Sequence, residues 1–202
     1  MHTDIERVKK IRAAVGDEMI LRLDANQGWN FDDALFALGA LESQNIEFCE
    51  QPMRTWFDDR LPELALNTNI KIMADESCYN HHDARKLIES QACEYLNIKF
   101  AKSGGILEAQ KIHEVALQKG VKCMIGSMLE SRIALSANLH FALASSNVVF
   151  FDLDTCLLGH LVDPVIGGLS YDGYFLSVPD TIGIGADADP AFLETCEKWL
   201  IA

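Results

Sequence analysis

Basic residues are scarce in this chain. Lys and Arg number 17 against 30 Asp and Glu, a formal net charge of -13. That balance argues against nucleic acid or an anionic membrane as the main partner, although an acidic surface is also common in plain soluble enzymes. No apolar run reaches the roughly 18 residues that a membrane span needs. The N-terminus, MHTDIERVKKIRAAVG, reads as a charged amphipathic helix rather than a signal peptide, so the cytoplasm is the expected compartment. Cys49, Cys78, Cys93, Cys123, Cys156 and Cys196 form no CxxC pair and no close cluster. Several lie inside apolar runs, where cysteine is a small buried hydrophobe, which suits a reducing compartment. Linkers, low-complexity segments and repeats are absent too.

What is present is a regular beat. With 202 residues, 49% of them hydrophobic, the chain is sized for one domain with a substantial core. A helix over Asp4–Val15 stops at Gly16 and gives way to a strand over Met19–Asp24. A helix over Asp32–Ser43 leads to IEFCEQP, where Pro52 ends the strand. The next, Asp58–Leu66, leads to IKIMADES. His82–Ser90 leads to YLNIKF, Ile106–Gln118 to VKCMIGS, and Ser131–Ser145 to VVFFDLD. Six strands joined by five helical crossovers predict a parallel sheet with right-handed connections. The barrel-like portion takes in residues 1–160. The remainder, 161–202, is Gly-rich and reads as loop, a short strand at YFLSV and a terminal helix over Ala191–Leu200.

The beat alone leaves the sheet open or closed, and the polar residues decide. Asp24, Glu50, Asp75 and Lys99 end successive strands, 26, 25 and 24 residues apart. In a barrel, successive strand ends lie side by side on one rim, where barrel enzymes keep their chemistry. An open sheet would spread them by about 5 Å per strand. The expected fold is therefore α/β, a TIM-type barrel.

Three carboxylates with no cysteine or histidine among them describe a hard oxygen site for Mg²⁺, with Mn²⁺ as the alternative. Capping of the following helices is the plainer reading of each acid taken singly. Asn26 shares the parity of Asp24 and could support it, whereas Gln51 faces away from Glu50's side. Lys99, at the mouth of a buried strand beside a metal, is a base candidate. A nearby cation and partial burial would both lower its pKa. The metal would hold a substrate carboxylate and stabilise the enediolate left when the α-proton departs. A structural ion pair with one of the acids is the competing role for Lys99. Lys102, three residues on in the loop, is expected to face solvent or substrate.

The sixth strand ends in Asp152-Leu153-Asp154, and a period of two puts both aspartates on one face. Two carboxylates there suit a cation such as an ammonium group; capping and a solvated loop would explain them equally. Gly126-Ser127 and Glu130 end the fifth strand, Ser127 being a candidate substrate contact and a turn with an N-cap the plainer reading. The histidines (His2, His81, His82, His113, His140, His160) are assigned no role.

Through LRLDANQGW, FCEQP, MADES, NIKFAKSGG and IGSMLESR, over nearly its whole length, the chain resembles the enolase superfamily, in its muconate-lactonizing branch. In that superfamily a Lys or His base works with Mg²⁺. The resemblance implies that Asp24, Glu50 and Asp75 are metal ligands and Lys99 one acid/base. A mandelate-racemase-like branch would carry a histidine base at the fifth strand, where this chain has Gly126-Ser127. Asp152-Leu153-Asp154 is similar to the DxD with which dipeptide epimerases grip a substrate's α-ammonium. The implied reaction is 1,1-proton transfer inverting the C-terminal residue of a dipeptide, of Ala-Glu type.

Members of that family also carry a first lysine, in a KxK motif, on a strand ahead of the helix that opens this chain. An α+β capping domain precedes that strand. Lys9 and Lys10 lie on the helix and cannot substitute. The expectation is an incomplete barrel of about six strands out of eight, without the capping domain, retaining one of two bases. In the family the segment 161–202 packs on the barrel and that capping domain. Open edges at the first and sixth strands would favour a homo-oligomer or a complementing N-terminal segment. Two rivals remain: a cycloisomerase or o-succinylbenzoate synthase of the same branch, whose substrates lack the ammonium, and a non-catalytic metal-binding remnant. A metal-dependent hydrolase fits less well, because the HxH pair many barrel hydrolases use is nowhere in the sequence.

Overall fold

A computed structural model describes residues 2–158 and 161–199. After the opening helix α1 (His2–Val15) come β1 (Leu21–Asp24), α2 (Phe31–Leu41), β2 (Ile46–Glu50), α3 (Leu61–Leu66), β3 (Lys71–Ala74), α4 (His81–Glu89) and β4 (Tyr95–Ile98). A one-turn helix α5 (Phe100–Ser103) precedes α6 (Ile106–Gln118), β5 (Lys122–Gly126), α7 (Arg132–Leu143), β6 (Val148–Asp152) and a second short helix, α8 (Thr155–Leu158). The last part holds β7 (Val165–Gly167), β8 (Ser170–Asp172), β9 (Phe175–Ser177), β10 (Ala186–Ala188) and α9 (Pro190–Thr195).

The first six strands form one parallel sheet in the order β1-β2-β3-β4-β5-β6. Each strand pairs with its neighbour in sequence, without the reversal that marks a doubly wound sheet. Curvature completes the argument for a barrel. Phe48 on β2 and Phe150 on β6 have ring centroids 5.2 Å apart. Four strand spacings in a flat sheet would separate them by about 19 Å. The Arg22 guanidinium of β1 lies 4.7 Å from the Phe150 ring centroid. Phe48, Met73, Tyr95, Met124 and Phe150 thus fill the concave side as one buried cluster. Among the described residues β1 and β6 do not pair with each other, so they are the edges of an incomplete barrel.

The convex side is apolar because every second strand residue points outward: Cys49, Ile72, Leu96, Ile98, Cys123 and Ile125 are buried under the helices. Side chains fix the helix starts. Asn30 caps α2 by accepting the Asp33 N–H, and Asn80 with Asp83 closes a reciprocal capping box at α4. The buried Arg12 of α1 donates to the carbonyls of Gly16, Met19, Gln44 and Asn45, tying the helix end to the lead-ins of β1 and β2. Four of the six free cysteines, Cys49, Cys78, Cys93 and Cys123, are buried, and burial pushes their thiols up, to about 12 for Cys78. They pack as hydrophobes.

The C-terminal part is built of two small antiparallel pairs, β7 with β10 and β8 with β9. Arg132 on α7 pairs with Asp163 and donates to the carbonyls of Val165, Gly167 and Leu169. Leu169 is fully buried, and the Tyr171 hydroxyl donates to the Leu153 carbonyl at 2.5 Å. No described helix is long and apolar enough to cross a membrane.

Several boundaries differ from the sequence reading. The stretch expected as a helix from Asp58 is a 3-10 turn (Thr55–Arg60) before α3, because Pro62 fits only the first turn of a helix. The terminal helix ends at Thr195, residues 196–199 are not helical, and Leu200 lies outside the described residues. His160 and the end of the 1–160 portion lie outside them as well. Strand β4 stops at Ile98, so Lys99 is the residue at which the chain turns into α5.

Candidate active site

Alternation along the strands sends Asp24, Glu50, Asp75, Asn97, Lys99 and Asp152 towards the concave side at the C-terminal rim. Register holds them level: Asp24 is opposite Glu50, and Gly126 is opposite Asp152. The centre of the rim is buried. Glu50 and Asp75 are 6% and 3% exposed. Lys99 Nζ donates to Asp75 Oδ2 at 2.7 Å, and Lys102 Nζ donates to Asp75 Oδ1 at 2.6 Å. Glu50 Oε1 accepts from Asn97 Nδ2 at 2.6 Å. A cavity of about 400 Å³ opens beside these groups, lined by Asn26, Asp75, Glu76, Tyr79, Lys99 and Met128, among others.

Titration behaviour follows from these contacts. Burial pushes the Glu50 carboxyl up to about 8, against the Asn97 hydrogen bond and with help from the Asp75 and Asp24 charges. Burial also acts to raise Asp75, but the Lys102 and Lys99 ammoniums outweigh it and hold that carboxyl below its ordinary value. For Lys99 the protein groups pull in opposite directions. Burial works downward, yet the charge and hydrogen bond of Asp75 raise its pKa above the ordinary lysine value.

Around this centre Gln51 and Gly126 supply support, while the buried Asn97 Oδ1 has no hydrogen-bond partner among the described residues. Gln51, with its backbone in the left-handed region at φ 34°, turns its side chain away from Glu50 and under Asp75. Its Oε1 accepts the Asp75 and Ser77 N–H groups, and its Nε2 donates to Met53 O and Ser77 Oγ. A Cβ on Gly126 would lie 2.5 Å from Asn97 Oδ1 and 2.9 Å from Lys99 Cε. The fifth strand therefore ends in glycine to leave room for those two side chains. Asn97 was passed over in the sequence, although it lies two residues before Lys99 and so on the same strand face. Glu76, whose buried Oε2 has no partner among the described residues, was missed also.

The remaining candidates are arranged differently. Lys102 is withdrawn from solvent: it sits in α5, its side chain 5% exposed and its ammonium on Asp75, and it lines the cavity beside Lys99. A one-turn helix after Lys99 rotates it back over the strand end. Asn26, beyond the end of β1, contacts Asp24 through a turn rather than strand parity, donating its N–H at 2.7 Å. Ser127 gives its hydroxyl to the Asp152 carbonyl, and Glu130 accepts from the Met128 N–H and the Asn138 amide, as a turn would have them. Asp152 and Asp154 are exposed on either side of the buried Leu153. Desolvation and the neighbouring Asp154 charge raise Asp152, with Lys99 opposing. Among the described residues no side chain donates to either carboxylate. His81, unassigned in the sequence, fixes α4 to α6 through a 2.5 Å contact between Nδ1 and Glu108.

Among the described residues no three His, Cys, Asp or Glu side chains are close enough, as they stand, to hold a metal ion. The donor chemistry nevertheless fits a hard cation. Asp24, Glu50 and Asp75 offer only oxygen and stand at the ends of three adjacent strands, and burial, with the Asp75 and Asp24 charges adding to it, drives Glu50 towards neutrality.

Comparison with known proteins supplies the context. A family profile described as enolase C-terminal domain-like matches residues 1–192. The chain is 42% identical over 196 residues to a D-Ala-D/L-Ala epimerase of Cytophaga hutchinsonii, covering 96% of this chain and 53% of that protein. It is 40% identical over 186 residues to an L-Ala-D/L-Glu epimerase of Clostridium acetobutylicum, covering 91% and 52%. A crystal structure of the dipeptide epimerase from Cytophaga hutchinsonii, complexed with Mg and the dipeptide D-Ala-L-Val, superposes with a TM-score of 0.93 at 42% identity, covering 96% of this chain and 53% of that one. The chain spans about half the length of the curated relatives it matches.

Proposed function

The chain belongs to the family of enolase C-terminal domain-like proteins, and from that premise we propose that it carries the metal-binding and one-base portion of a dipeptide epimerase. Asp24, Glu50 and Asp75 are the residues that would hold Mg²⁺, or Mn²⁺ in its place. When bound, the cation supplies positive charge to a substrate carboxylate and so makes the neighbouring α-proton more acidic. Lys99, once its ammonium has given a proton to solvent, takes the α-proton at the neutral Nζ and can return it to the same face. Asp152 and Asp154 receive the substrate's α-ammonium, whose charge matches their exposed pair of carboxylates. Glu50, buried and pushed towards neutrality, is the ligand that gains most from a cation's arrival.

The single observation carrying this reading is the position of Lys99. Its side chain is 12% exposed at the rim, its acceptor among the described residues is Asp75 Oδ2 at 2.7 Å, and the cavity opens beside it. A base needs this combination of access and a charge partner it can leave. Epimerisation needs a second group on the opposite face, and we assign none among these 202 residues. The chain's own chemistry is then α-proton exchange with retained configuration.

Proton NMR of L-Ala-L-Glu and L-Ala-L-Ala in D₂O with Mg²⁺ tests it by following the C-terminal α-hydrogen. Loss of that signal without a new diastereomer is the expected result. Appearance of both diastereomers would replace the one-base form with a complete epimerase. No exchange with either dipeptide, while Mg²⁺ binds, would favour a metal-binding remnant.

A further inference from the structure

Two ammonium groups share the Asp75 carboxylate, and they are held in different ways. Lys102 Nζ donates to Asp75 Oδ1 at 2.6 Å, to the Asp75 carbonyl at 2.5 Å and to the Asn97 carbonyl at 2.9 Å. An ammonium has three N–H bonds, so all of its donors are committed. Two of those acceptors are backbone oxygens at the ends of β3 and β4, set by the sheet and independent of the Asp75 rotamer. Lys99 has a single acceptor among the described residues, Asp75 Oδ2.

From this asymmetry we infer that Lys102 is a positioning residue. It anchors Oδ1 of Asp75 permanently between two strand ends and leaves Oδ2 as the oxygen that Lys99 and a cation share. The Asp75 carboxylate is otherwise poorly constrained in direction. Its own N–H is taken by Gln51, which fixes the backbone but leaves side-chain rotation free. Lys102 supplies the missing constraint, and it does so with charge. A buried carboxylate facing other acids needs a resident countercharge to stay ionised before any metal arrives. Asn97 belongs to the same device, since its carbonyl steadies Lys102 while its amide steadies Glu50. One strand end thereby sets the direction of two neighbouring carboxylates. This inference rests on the metal reading above.

The two lysines should part company in a metal titration. In calorimetric titration of the full chain with Mg²⁺, Lys102→Met is expected to weaken binding by about 10–100-fold, the range seen when partners that orient a ligand are removed. Lys99→Met, which takes a competing cation off Oδ2, is expected to bind Mg²⁺ at least as tightly as the parent. A Lys102→Met chain that binds as tightly as the parent overturns the assignment, because the lysine would then be only a competing charge. Ammonium NMR of the unsubstituted chain, labelled with ¹⁵N-lysine, gives a second reading independent of whether the variant folds. The Lys102 signal should be protected from exchange and stay in place when Mg²⁺ is added, while the Lys99 signal moves. Movement of the Lys102 signal instead overturns the proposal. Failure of the parent chain to take up Mg²⁺ would remove the metal reading and the proposal with it; parent binding with undiminished Lys102→Met binding removes the positioning role alone.

Discussion

The two sides of the rim make opposite use of the same residue type. At the ends of β2, β3 and β4, Glu50 and Asp75 are buried, and both oxygens of Asp75 and one of Glu50 have named donors. At the ends of β1 and β6, Asp24, Asp152 and Asp154 are exposed, and Asp24 alone of the three accepts a side-chain or backbone donor, from its own turn at Asn26. The difference follows from position in the sheet. An interior strand has neighbours on both sides to orient its terminal side chain, and an edge strand has one. Orientation of a reacting group lowers its barrier before substrate arrives. On the function proposed above, the interior side is the one suited to proton transfer, and the edge side the one suited to capture of a charged ligand by attraction.

Removing the base should break the interior side most severely. Lys99→Met is expected to cut Mg²⁺-dependent α-proton exchange by about 10²–10⁴-fold, the contribution of a positioned general base. Circular dichroism and the thermal midpoint should change little, since Lys102 still neutralises Asp75. Retained exchange in this variant would move the chemistry to another group.

Crowding the interior should have the next largest effect. In Gly126→Ala the new methyl would meet Asn97 Oδ1 at 2.5 Å and Lys99 Cε at 2.9 Å. Displacement of a reacting group by about 1 Å can cost on the order of 100-fold in rate, and overpacking of this kind costs roughly 1–3 kcal/mol of stability. Single-turnover exchange and urea denaturation measure the two separately. Gly39→Ala is the control, because nothing lies within 4 Å of a Cβ there. It should stabilise α2 by about 0.5–1 kcal/mol without touching exchange. Equal loss in both variants would mean that the interior is not specially packed.

On the edge side the balance should reverse. Asp152→Asn is expected to raise KM for a dipeptide about tenfold, by loss of a charge-assisted hydrogen bond, with little effect on kcat. Stability should hold or improve slightly, since the substitution relieves repulsion between Asp152 and Asp154. An unchanged KM would remove the ammonium-binding role and favour the cycloisomerase or o-succinylbenzoate synthase reading.

This contrast also explains what could be read from sequence. Asp24, Glu50, Asp75 and Lys99 were legible because strand period and helix length repeat, so residues about 25 apart land on one rim. The barrel followed from the same spacing. The burial of Lys102 was not legible, because a one-turn helix rotates it over the strand end and nothing in AKSGG announces that turn. Which acid pairs with Lys99 was not legible for a related reason: it depends on which charge lies within 3 Å, a tertiary fact. Asn97 was within reach, since period two puts it beside Lys99, but an amide on a strand has many ordinary uses. Gly126 looked like a turn residue, and only the positions of Asn97 and Lys99 reveal it as space kept clear.

The smallest effect tests whether the preparation of the interior side reaches its outer helices. Glu108 on α6 accepts both the His81 N–H and His81 Nδ1 at the start of α4. Those bonds, with Lys111 adding to them, hold its carboxyl down at about 2. A carboxyl lowered on folding contributes stability that is present above its ordinary pKa, about 4.5, and lost as pH falls through about 2. Glu108→Gln should therefore lower the urea midpoint slightly at pH 6, and the gap between parent and variant should close as pH is brought from 4.5 towards 2. The Glu108 side chain is partly exposed, so screening by salt should shrink the gap further. A gap that persisted unchanged to the acid end would mean that α4 and α6 are held by their apolar contacts, with orientation of the rim confined to the sheet itself.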